Sequence, residues 1–325
     1  LWSEAAAASI VAACHDKTGK VTEESKPSSQ AAPQLFDLTS LQREANARFG
    51  FSAKNTLGLA QALYERHKVL TYPRTDSRAL PEDYLPTVTS TLEMLAESSD
   101  NYYPHASQIL NNSWVKPNKK IFDNSKISDH FAIIPTLQAP KNLSEPEQKL
   151  YDLVVRRFMA IFFPSAEFKV TTRITEVSGH QFKTDGKILI NPGWLTVYGK
   201  SSQDDKELVV VGENEKVQTE SVTPNPLKTK PPARYTEATL LSAMEGAGKL
   251  IDDEDFREAM SEKGLGTPAT RAAIIEGLLF EKYMVREARE IIPTAKAFQL
   301  MTLLRGLGVE ELTRPELTGN WEHKL

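Results

Sequence analysis

Apolar residues recur at helical spacing in the first part of the chain. One stripe predicts a helix and consists of Leu38, Leu41, Ala45 and Phe49. Thr39 and Gln42 form its predicted capping box, and Gly50 is placed to end it. A second helical stripe then continues to about residue 67. The short run "VLTY" that follows is too brief for a helix, so we expect a strand or an extended turn there.

A later helix is predicted from the capping box of Ser144 and Glu147, after which the pattern changes to an alternation of apolar and polar positions. Residues 165–225 are therefore predicted to form a β domain. Its expected strands are "FKVTTRITEV", "HQFKTDGKILI", "GWLTVYG" and "KELVVVGENEKVQ". Residues 16–34 are polar and rich in Ser and Pro, which predicts a hairpin tip or a linker.

The chain becomes helical again from Thr236. The stretch "TPATRAAIIEGLLFEKYMVREAREIIPTAKAFQL" predicts a helix, a short hairpin and a second helix. This order resembles a winged helix, a fold that often binds DNA.

Pro81, followed by Glu82 and Asp83, predicts another helix start, because proline is tolerated at the first helical position.

Length and composition narrow the class of protein. A chain of 325 residues is too long for one compact core and suits two or three domains. No apolar run approaches the ~20 residues that a membrane-spanning helix needs. The single Cys14 excludes a disulfide framework and a cysteine-built zinc site, so we expect a cytoplasmic protein. The formal net charge is -4, but basic residues cluster locally, so nucleic-acid binding stays open.

The segment "KVLTYPRTDSRALPED" at 68–83 contains the strongest candidate for chemistry. Tyr72 is either a packed aromatic residue or a nucleophile that attacks a phosphate. A phenol has a pKa near ~10, so attack at neutral pH needs a positive charge that favours the phenolate. Arg74 can supply that charge or clamp the phosphate through paired N–H donors.

The length of the pattern favours the nucleophile. "LTYPRTDSRALPEDY" resembles the active-site segment of the type IA DNA topoisomerases, and its wording is most similar to the topoisomerase III branch. Further segments resemble this family in the same order along nearly the whole chain: residues 35–68, "SDHFAIIPT" at 128–136, "PPARYTEATLLSAME" at 231–245, "GLGTPATRA" at 264–272 and "LTRPELTGNWEHKL" at the end.

The resemblance implies catalytic roles for three residues. Tyr72 matches the tyrosine that attacks single-stranded DNA and becomes joined to the 5′ phosphate, and Arg74 matches the arginine that positions the scissile phosphate. His130 matches a histidine near the active site that is linked to DNA binding or domain closure. Many relatives have a second histidine where this chain has Phe131, so no role transfers to that position.

Five further residues are predicted to bind DNA. Thr267 and Thr270 match family positions that contact the strand, although Thr267 equally suits a helix N-cap. The other three belong to basic clusters and are Lys68, Arg78 and Arg234.

The implied fold is a multidomain α+β fragment of a toroidal gate, with a β-rich arch and helical, winged-helix-like domains. Residues 1–36 and 156–228 would form the arch, 37–155 the helical domain with the tyrosine, and 229–325 part of the DNA-binding base. Hinges are expected near 33–37, 140–146 and 225–232.

The resemblance further implies ATP-independent cleavage, strand passage and religation of single-stranded DNA. The Mg²⁺ ions of this family belong to a Toprim domain that we do not find in this sequence, so we expect no metal site here and no activity of this chain alone. Other expectations are a monomer, a nucleoid location, and a helicase or single-strand binding protein as partner. Two alternatives remain: a non-catalytic single-strand DNA-binding module, and, more weakly, a tyrosine recombinase or nuclease.

Overall fold

The computed structural model describes residues 3–199, 208–212, 215–261 and 263–324. The chain divides into two compact units. The first contains Leu1–Ala32 and Phe163–Pro231, and the second contains Pro33–Phe162 and Pro232–Leu325. The finer domain boundaries given above stay a prediction. No described helix is both long and apolar enough to cross a membrane.

An antiparallel sheet forms the body of the first unit. The helix α1 (Glu4–Cys14) precedes strand β1 (Thr18–Gln30), and the strands β2 (Ala166–Val177), β3 (His180–Asn191) and β4 (Lys216–Gln218) follow much later in the chain. The strand order is β3-β2-β1-β4. β4 pairs only with the start of β1, so most of β1 is an edge strand.

Two secondary-structure predictions for this unit are wrong. Residues 18–30 are not a linker, because they pair along β2 from Lys20 to Gln30. Their side chains are almost all exposed, so no apolar alternation marks the strand, and Pro27 is tolerated at an edge. The segment "GWLTVYG" is not a strand but a 3₁₀-helix, Gly193–Tyr198, with four of its residues buried.

The last predicted strand of this unit is also much shorter than expected. Within the described part of "KELVVVGENEKVQ", only Lys216–Gln218 is a strand, and residues 208–212 have no regular structure. Residues 206, 207, 213 and 214 lie outside the described residues. Val209 and Val210 are exposed, so their apolar character did not indicate a buried strand.

The second unit is mainly helical. Its first segment contains α2 (Leu38–Phe49), α3 (Ala53–Glu65), α4 (Leu85–Ser98), α5 (Tyr103–Asn111) and α6 (Glu145–Ala160). Its second segment contains β5 (Tyr235–Thr236), α7 (Glu237–Glu245), α8 (Glu254–Ala259), α9 (Pro268–Phe280), β6 (Met284–Glu287), β7 (Glu290–Pro293), α10 (Ala295–Gly306) and α11 (Glu316–Lys324). The predicted helix, hairpin and helix are α9, β6 with β7, and α10, and they confirm the winged-helix order.

The helix ends show which local signals were decisive. Asp37, not Thr39, is the N-cap of α2 and forms a capping box with Ser40. Thr39 and Gln42 are buried inside the helix instead. Gly50 ends α2 with a left-handed backbone, as predicted. Pro81 was predicted at the first helical position, but it is the N-cap instead. The helix that it caps is a short 3₁₀-helix, Glu82–Tyr84, that precedes α4.

The helix α6 has a capped N-terminus and a buried apolar face. The predicted capping box of Ser144 and Glu147 is present, with 2.9 Å between the Ser144 backbone nitrogen and a Glu147 carboxylate oxygen. The apolar face of α6 is buried, including Leu150, Val154 and Phe158. These side chains contribute most of the free energy that fixes the helix, because each buries a large apolar area.

The carboxylate of Glu147 also binds the end of α3. It forms an ion pair with Arg66 and lies 3.3 Å from the Nε2 atom of His67. Burial alone would raise the pKa of Glu147, but hydrogen bonds from Ser144 and the charge of Arg66 outweigh burial and lower this pKa to about 2. Glu147 therefore stabilises the fold as a carboxylate.

We predict that Glu147→Gln lowers the free energy of unfolding at pH 7 by about 1.5–3 kcal/mol, the range for hydrogen bonds to charged groups. A depressed folded-state pKa stabilises the fold above the ordinary value of 4.5, and this contribution is lost as the pH falls towards about 2. Urea unfolding from pH 7 to pH 2.5 should therefore show the parent and the variant converging in acid.

Glu145→Gln is the matched control, because Glu145 lies in the same first turn of α6 but is exposed and pairs only with Lys149 among the described residues. Its unfolding midpoint should stay close to that of the parent. Equal losses in both variants would show that the helix dipole, and not the Glu147 contacts, accounts for the effect.

Candidate active site

The tyrosine lies on an extended segment, residues 69–80, that runs beside residues 130–136. The main chains meet in an isolated antiparallel bridge between Leu70 and Pro135, and the Thr71 nitrogen donates to the Ile134 oxygen at 3.0 Å. Farther along, the Ala132 nitrogen donates to the Ala79 oxygen at 3.0 Å. The "VLTY" run is therefore an extended turn held by a neighbouring segment.

Three hydroxyl side chains attach this segment to its neighbours. Thr71 donates to the Ala132 oxygen at 2.9 Å, and Thr75 donates to the His130 oxygen at 2.8 Å. Ser77 donates to the Lys126 oxygen at 2.8 Å. These hydroxyls satisfy backbone carbonyls that no regular sheet would satisfy here, so the segment is fixed in one register.

Extended backbone turns successive side chains to opposite faces. Residues 73, 75, 77 and 79 are buried, whereas Tyr72, Arg74, Asp76 and Arg78 are half-buried or exposed. The four polar or aromatic side chains of "YPRTDSR" therefore share the outer face. This arrangement explains why the tyrosine and the arginines are spaced at even intervals.

The ring of Tyr72 is held by two aromatic neighbours. Its centroid lies 4.2 Å from that of His130 and 5.4 Å from that of Tyr64, with an edge-to-face angle of 80° to the latter. Among the described residues, no hydrogen bond joins the Tyr72 hydroxyl to another group. The ring is thus oriented by packing, while its oxygen stays available to a ligand.

Arg74 and His130 line one small cavity of about 170 Å³. The lining comes from three segments, residues 74–76, 128–130 and 267–269. Arg74 is exposed and forms no ion pair with any carboxylate that the structure describes. The structure therefore brings together the predicted Tyr72, Arg74, His130 and Thr267, with Tyr72 at the edge through its contact with His130.

Sequence reasoning missed other residues of this cavity, among them Asp76 and Ser128. Asp76 and Asp129 line the same cavity as the permanently charged Arg74, although neither carboxylate forms an ion pair with it. These carboxylates would oppose an anionic ligand, whereas the Arg74 guanidinium would attract one. The outward position of Asp76, two residues after Arg74, was the signal that could have identified it.

The start of α9 forms the third side of the cavity. Thr267 is the N-cap, and its hydroxyl lies 3.1 Å from that of Thr270 in a reciprocal capping box. The N-cap interpretation of Thr267 is therefore confirmed. Thr267, Pro268 and Ala269 line the cavity, whereas Thr270 faces back towards the cap.

The remaining predicted DNA-binding residues lie elsewhere on the second unit. Arg78 is paired with Asp37 at 2.6 Å and with Glu245 at 3.2 Å. The ammonium of Lys68 lies 5.7 Å from the ring centroid of Tyr64, close to the tyrosine pair. Arg234 is exposed and lies 3.8 Å from Glu290, apart from the residues that line the cavity.

Two further expectations concern neighbouring chemistry. Phe131, to which the family resemblance transferred no role, packs on Tyr84 with 4.9 Å between ring centroids. Within the described ranges, no three His, Cys, Asp or Glu side chains form a group that could hold a metal ion. We therefore assign no metal ligands to this part of the chain.

The fold and the site together define a mixed α+β protein in which Arg74 and His130 line a cavity at the start of a winged-helix element, while Tyr72 packs on His130. A family model described as DNA topoisomerase matches residues 1–325. The chain belongs to this DNA topoisomerase family.

Curated relatives agree with this family. The chain is 42% identical over 305 residues to DNA topoisomerase 3 of Bacillus licheniformis, and 41% identical over 306 residues to that of Bacillus subtilis. Each alignment covers 90% of this chain and 41% of the relative, so the chain spans about two fifths of their length.

A solved structure shows the same fold. The full-length topoisomerase I from Thermotoga maritima matches with a TM-score of 0.73 at 22% sequence identity. The match covers 100% of this chain and 50% of that one. The predicted α+β fold of this family is thus confirmed.

We predict that Gly264→Ala destabilises the loop that leads to α9. Gly264 has a φ of 70°, and an added Cβ would lie 2.4 Å from the Met244 carbonyl oxygen. The left-handed backbone costs about 1–2 kcal/mol for alanine, and the backbone clash adds about 1–3 kcal/mol. Denaturant unfolding measures the sum.

Gly308→Ala separates these two costs. Gly308 has a φ of 71°, but an added Cβ there would meet nothing within 4 Å. The loss at Gly264 should exceed the loss at Gly308 by at least ~1 kcal/mol. Equal losses would mean that the loop moves freely away from Met244, and the described close packing would then be wrong.

Proposed function

We propose that this chain carries the tyrosine part of the cleavage site of a type IA DNA topoisomerase. One observation supports the proposal most strongly: Tyr72 and Arg74 share one face of an extended segment, Arg74 lines a cavity with His130 and the start of α9, and Tyr72 packs on His130. Family membership gives this geometry a substrate class, DNA.

In the proposed reaction, the phenol oxygen of Tyr72 attacks a phosphodiester of single-stranded DNA. A bond forms between this oxygen and phosphorus, and the bond from phosphorus to the 3′ oxygen breaks. The phenol loses its proton, and the released 3′ oxygen gains one. The product is a 5′-phosphotyrosine and a free 3′ hydroxyl, which reseals the strand by the reverse attack.

Arg74 would stabilise the negative charge that develops on the phosphate. Its guanidinium is suited to this task because it is permanently charged and is not already neutralised by a described carboxylate. A phosphotyrosine conserves the energy of the broken bond, so the cycle requires no ATP. After cleavage, another strand would pass through the break before resealing.

The metal requirement of the reaction is assigned to another part of the protein. Mg²⁺ would be held by a Toprim domain of the same protein, as the family resemblance implies. We accordingly propose that this chain alone binds single strands but does not relax supercoiled DNA. Relaxation by the purified chain would contradict this part of the proposal.

We also propose a cellular setting for this activity. The protein would act as a monomer on chromosomal DNA in the cytoplasm, where unwound strands are available. A helicase or a single-strand binding protein is a suitable partner, because each produces or holds the unpaired strand that Tyr72 needs.

We predict that Tyr72→Phe in the full-length protein abolishes the covalent DNA adduct while leaving oligonucleotide affinity within about threefold, since only the reacting oxygen is removed. Arg74→Ala should reduce the rate of adduct formation by about 10²–10³, the range for loss of one group that stabilises developing charge. Denaturing electrophoresis with a 3′-labelled single-stranded oligonucleotide measures adduct formation in both variants, because the label stays with the strand joined to the tyrosine.

The alternative of a non-catalytic binding module makes the opposite prediction. Under that alternative, the parent forms no adduct, and Tyr72→Phe keeps all measurable binding. An adduct that persists in Tyr72→Phe would instead assign the nucleophile to another residue.

A further inference from the structure

Arg271 is a buried guanidinium that the proposed chemistry does not use. Only 2% of the residue is exposed, although it directly follows the Thr270 capping residue of α9. No carboxylate pairs with it among the residues that the structure describes. Burial lowers the pKa of this guanidinium, while the nearby charges of Glu245 and Asp37 act in the opposite direction. Burying a charge is costly unless hydrogen bonds compensate for it.

The compensating hydrogen bonds connect two separate parts of the fold. The Nε atom donates to the Leu265 oxygen at 3.2 Å, and Nη2 donates to the Lys263 oxygen at 2.6 Å. The Nη1 atom donates to the hydroxyl of Thr39, on α2, at 2.9 Å. One planar side chain thus holds the loop before α9 against the start of α2.

The loop held by Arg271 ends at the cavity. Gly264 and Gly266 both have left-handed backbones, with φ of 70° and 67°. The Leu265 nitrogen donates to the Met244 oxygen at 2.7 Å. The next residue after Gly266 is Thr267, which lines the cavity together with Arg74 and His130.

The start of α2, in turn, is joined to the segment that carries the tyrosine. The Leu38 nitrogen donates to the Thr75 oxygen at 3.0 Å, and Asp37 pairs with Arg78 at 2.6 Å. A continuous set of contacts therefore runs from the loop, through Arg271 and the start of α2, to Thr75 and Arg78 of the tyrosine segment.

We propose that Arg271 is a positioning residue that fixes the start of α9 relative to Arg74 and His130. This inference rests on the proposed function and deepens it. Arg271 does not bind the phosphate itself, because only 2% of it is exposed and its Nε, Nη1 and Nη2 atoms already donate to protein oxygens. It sets the width of the cavity in which the scissile phosphate would lie.

A positioning role has a kinetic signature. Misplacing the reacting groups by about 1 Å lowers the rate of the chemical step by up to about 10²-fold. Substrate affinity changes much less, because contacts along the rest of the strand remain. A residue that only stabilised the fold would lower the amount of active protein without this separation of rate from affinity.

The test compares three variants of the full-length protein. Arg271→Lys keeps the buried charge but loses the planar set of donors. Thr39→Val keeps the volume and removes only the hydroxyl that joins α2 to Arg271. Arg286→Lys is the control, because Arg286 is bound to Glu237 and Glu276 within the same unit and lies outside the cavity and its loop.

Three quantities are measured for each variant: the affinity for a single-stranded oligonucleotide, the rate of covalent adduct formation at saturating DNA, and the amide hydrogen exchange of residues 263–270. We expect Arg271→Lys to slow the adduct rate by at least about tenfold with affinity within about threefold. Thr39→Val should slow it by about threefold, since one of three hydrogen bonds is lost. Exchange in the loop should be about tenfold faster in Arg271→Lys and unchanged in Arg286→Lys.

Several results would overturn the inference. An adduct rate in Arg271→Lys equal to that of the parent would do so, as would equal slowing in Arg286→Lys. Unchanged exchange at residues 263–270 would show that Arg271 does not hold the loop. If the parent forms no adduct, the proposed function fails, while the exchange measurement still decides whether Arg271 fixes the loop. If Arg271→Lys does not fold, Thr39→Val alone decides the kinetic prediction.

Discussion

The pairing of residues 69–80 with residues 130–136 is the constraint on which the site depends. The hydroxyls of Thr71 and Thr75 fix the register of this pairing through hydrogen bonds to the backbone carbonyls of Ala132 and His130. Because the backbone is extended, fixing the register also decides which side chains face outward. Tyr72 and Arg74 face outward together for this reason, and His130 is brought to Tyr72 by the same pairing.

The start of α2 adds a second constraint, since it binds the tyrosine segment on one side and the glycine loop on the other. Asp37 caps the helix with one carboxylate oxygen and pairs with Arg78 through the other. Two residues later, Thr39 accepts a hydrogen bond from Arg271. Short, mutually dependent polar contacts of this kind place reacting groups accurately, because each partner limits the rotamers of the next.

The sequence predicted the elements whose signals are local. Spacing and capping chemistry predicted the capping box of Ser144 and Glu147, the helix end at Gly50, and the order of α9, β6, β7 and α10. Strand β1 was not predicted, because nearly all of its side chains are exposed on both faces and most are polar. Thr39 was assigned to a capping box from its spacing to Gln42. Its burial could not be predicted, because it depends on Arg271, which lies 232 positions away in the chain. Likewise, the pairing of Arg78 with Glu245 could not be inferred from composition, and arginine spacing suggested DNA contact instead. Family segments supplied the candidate nucleophile, whereas geometry supplied its surroundings.

The central claim is that Tyr72 itself becomes joined to the 5′ phosphate of cleaved DNA. The most direct measurement is mass spectrometry of the adduct formed by the full-length protein on a single-stranded oligonucleotide, after protease and nuclease digestion. We expect the peptide containing Tyr72 to carry a 5′-phosphoryl nucleotide, and the released strand to end in a 3′ hydroxyl. A nucleotide attached to any other residue, or through a 3′ phosphate, would contradict this claim.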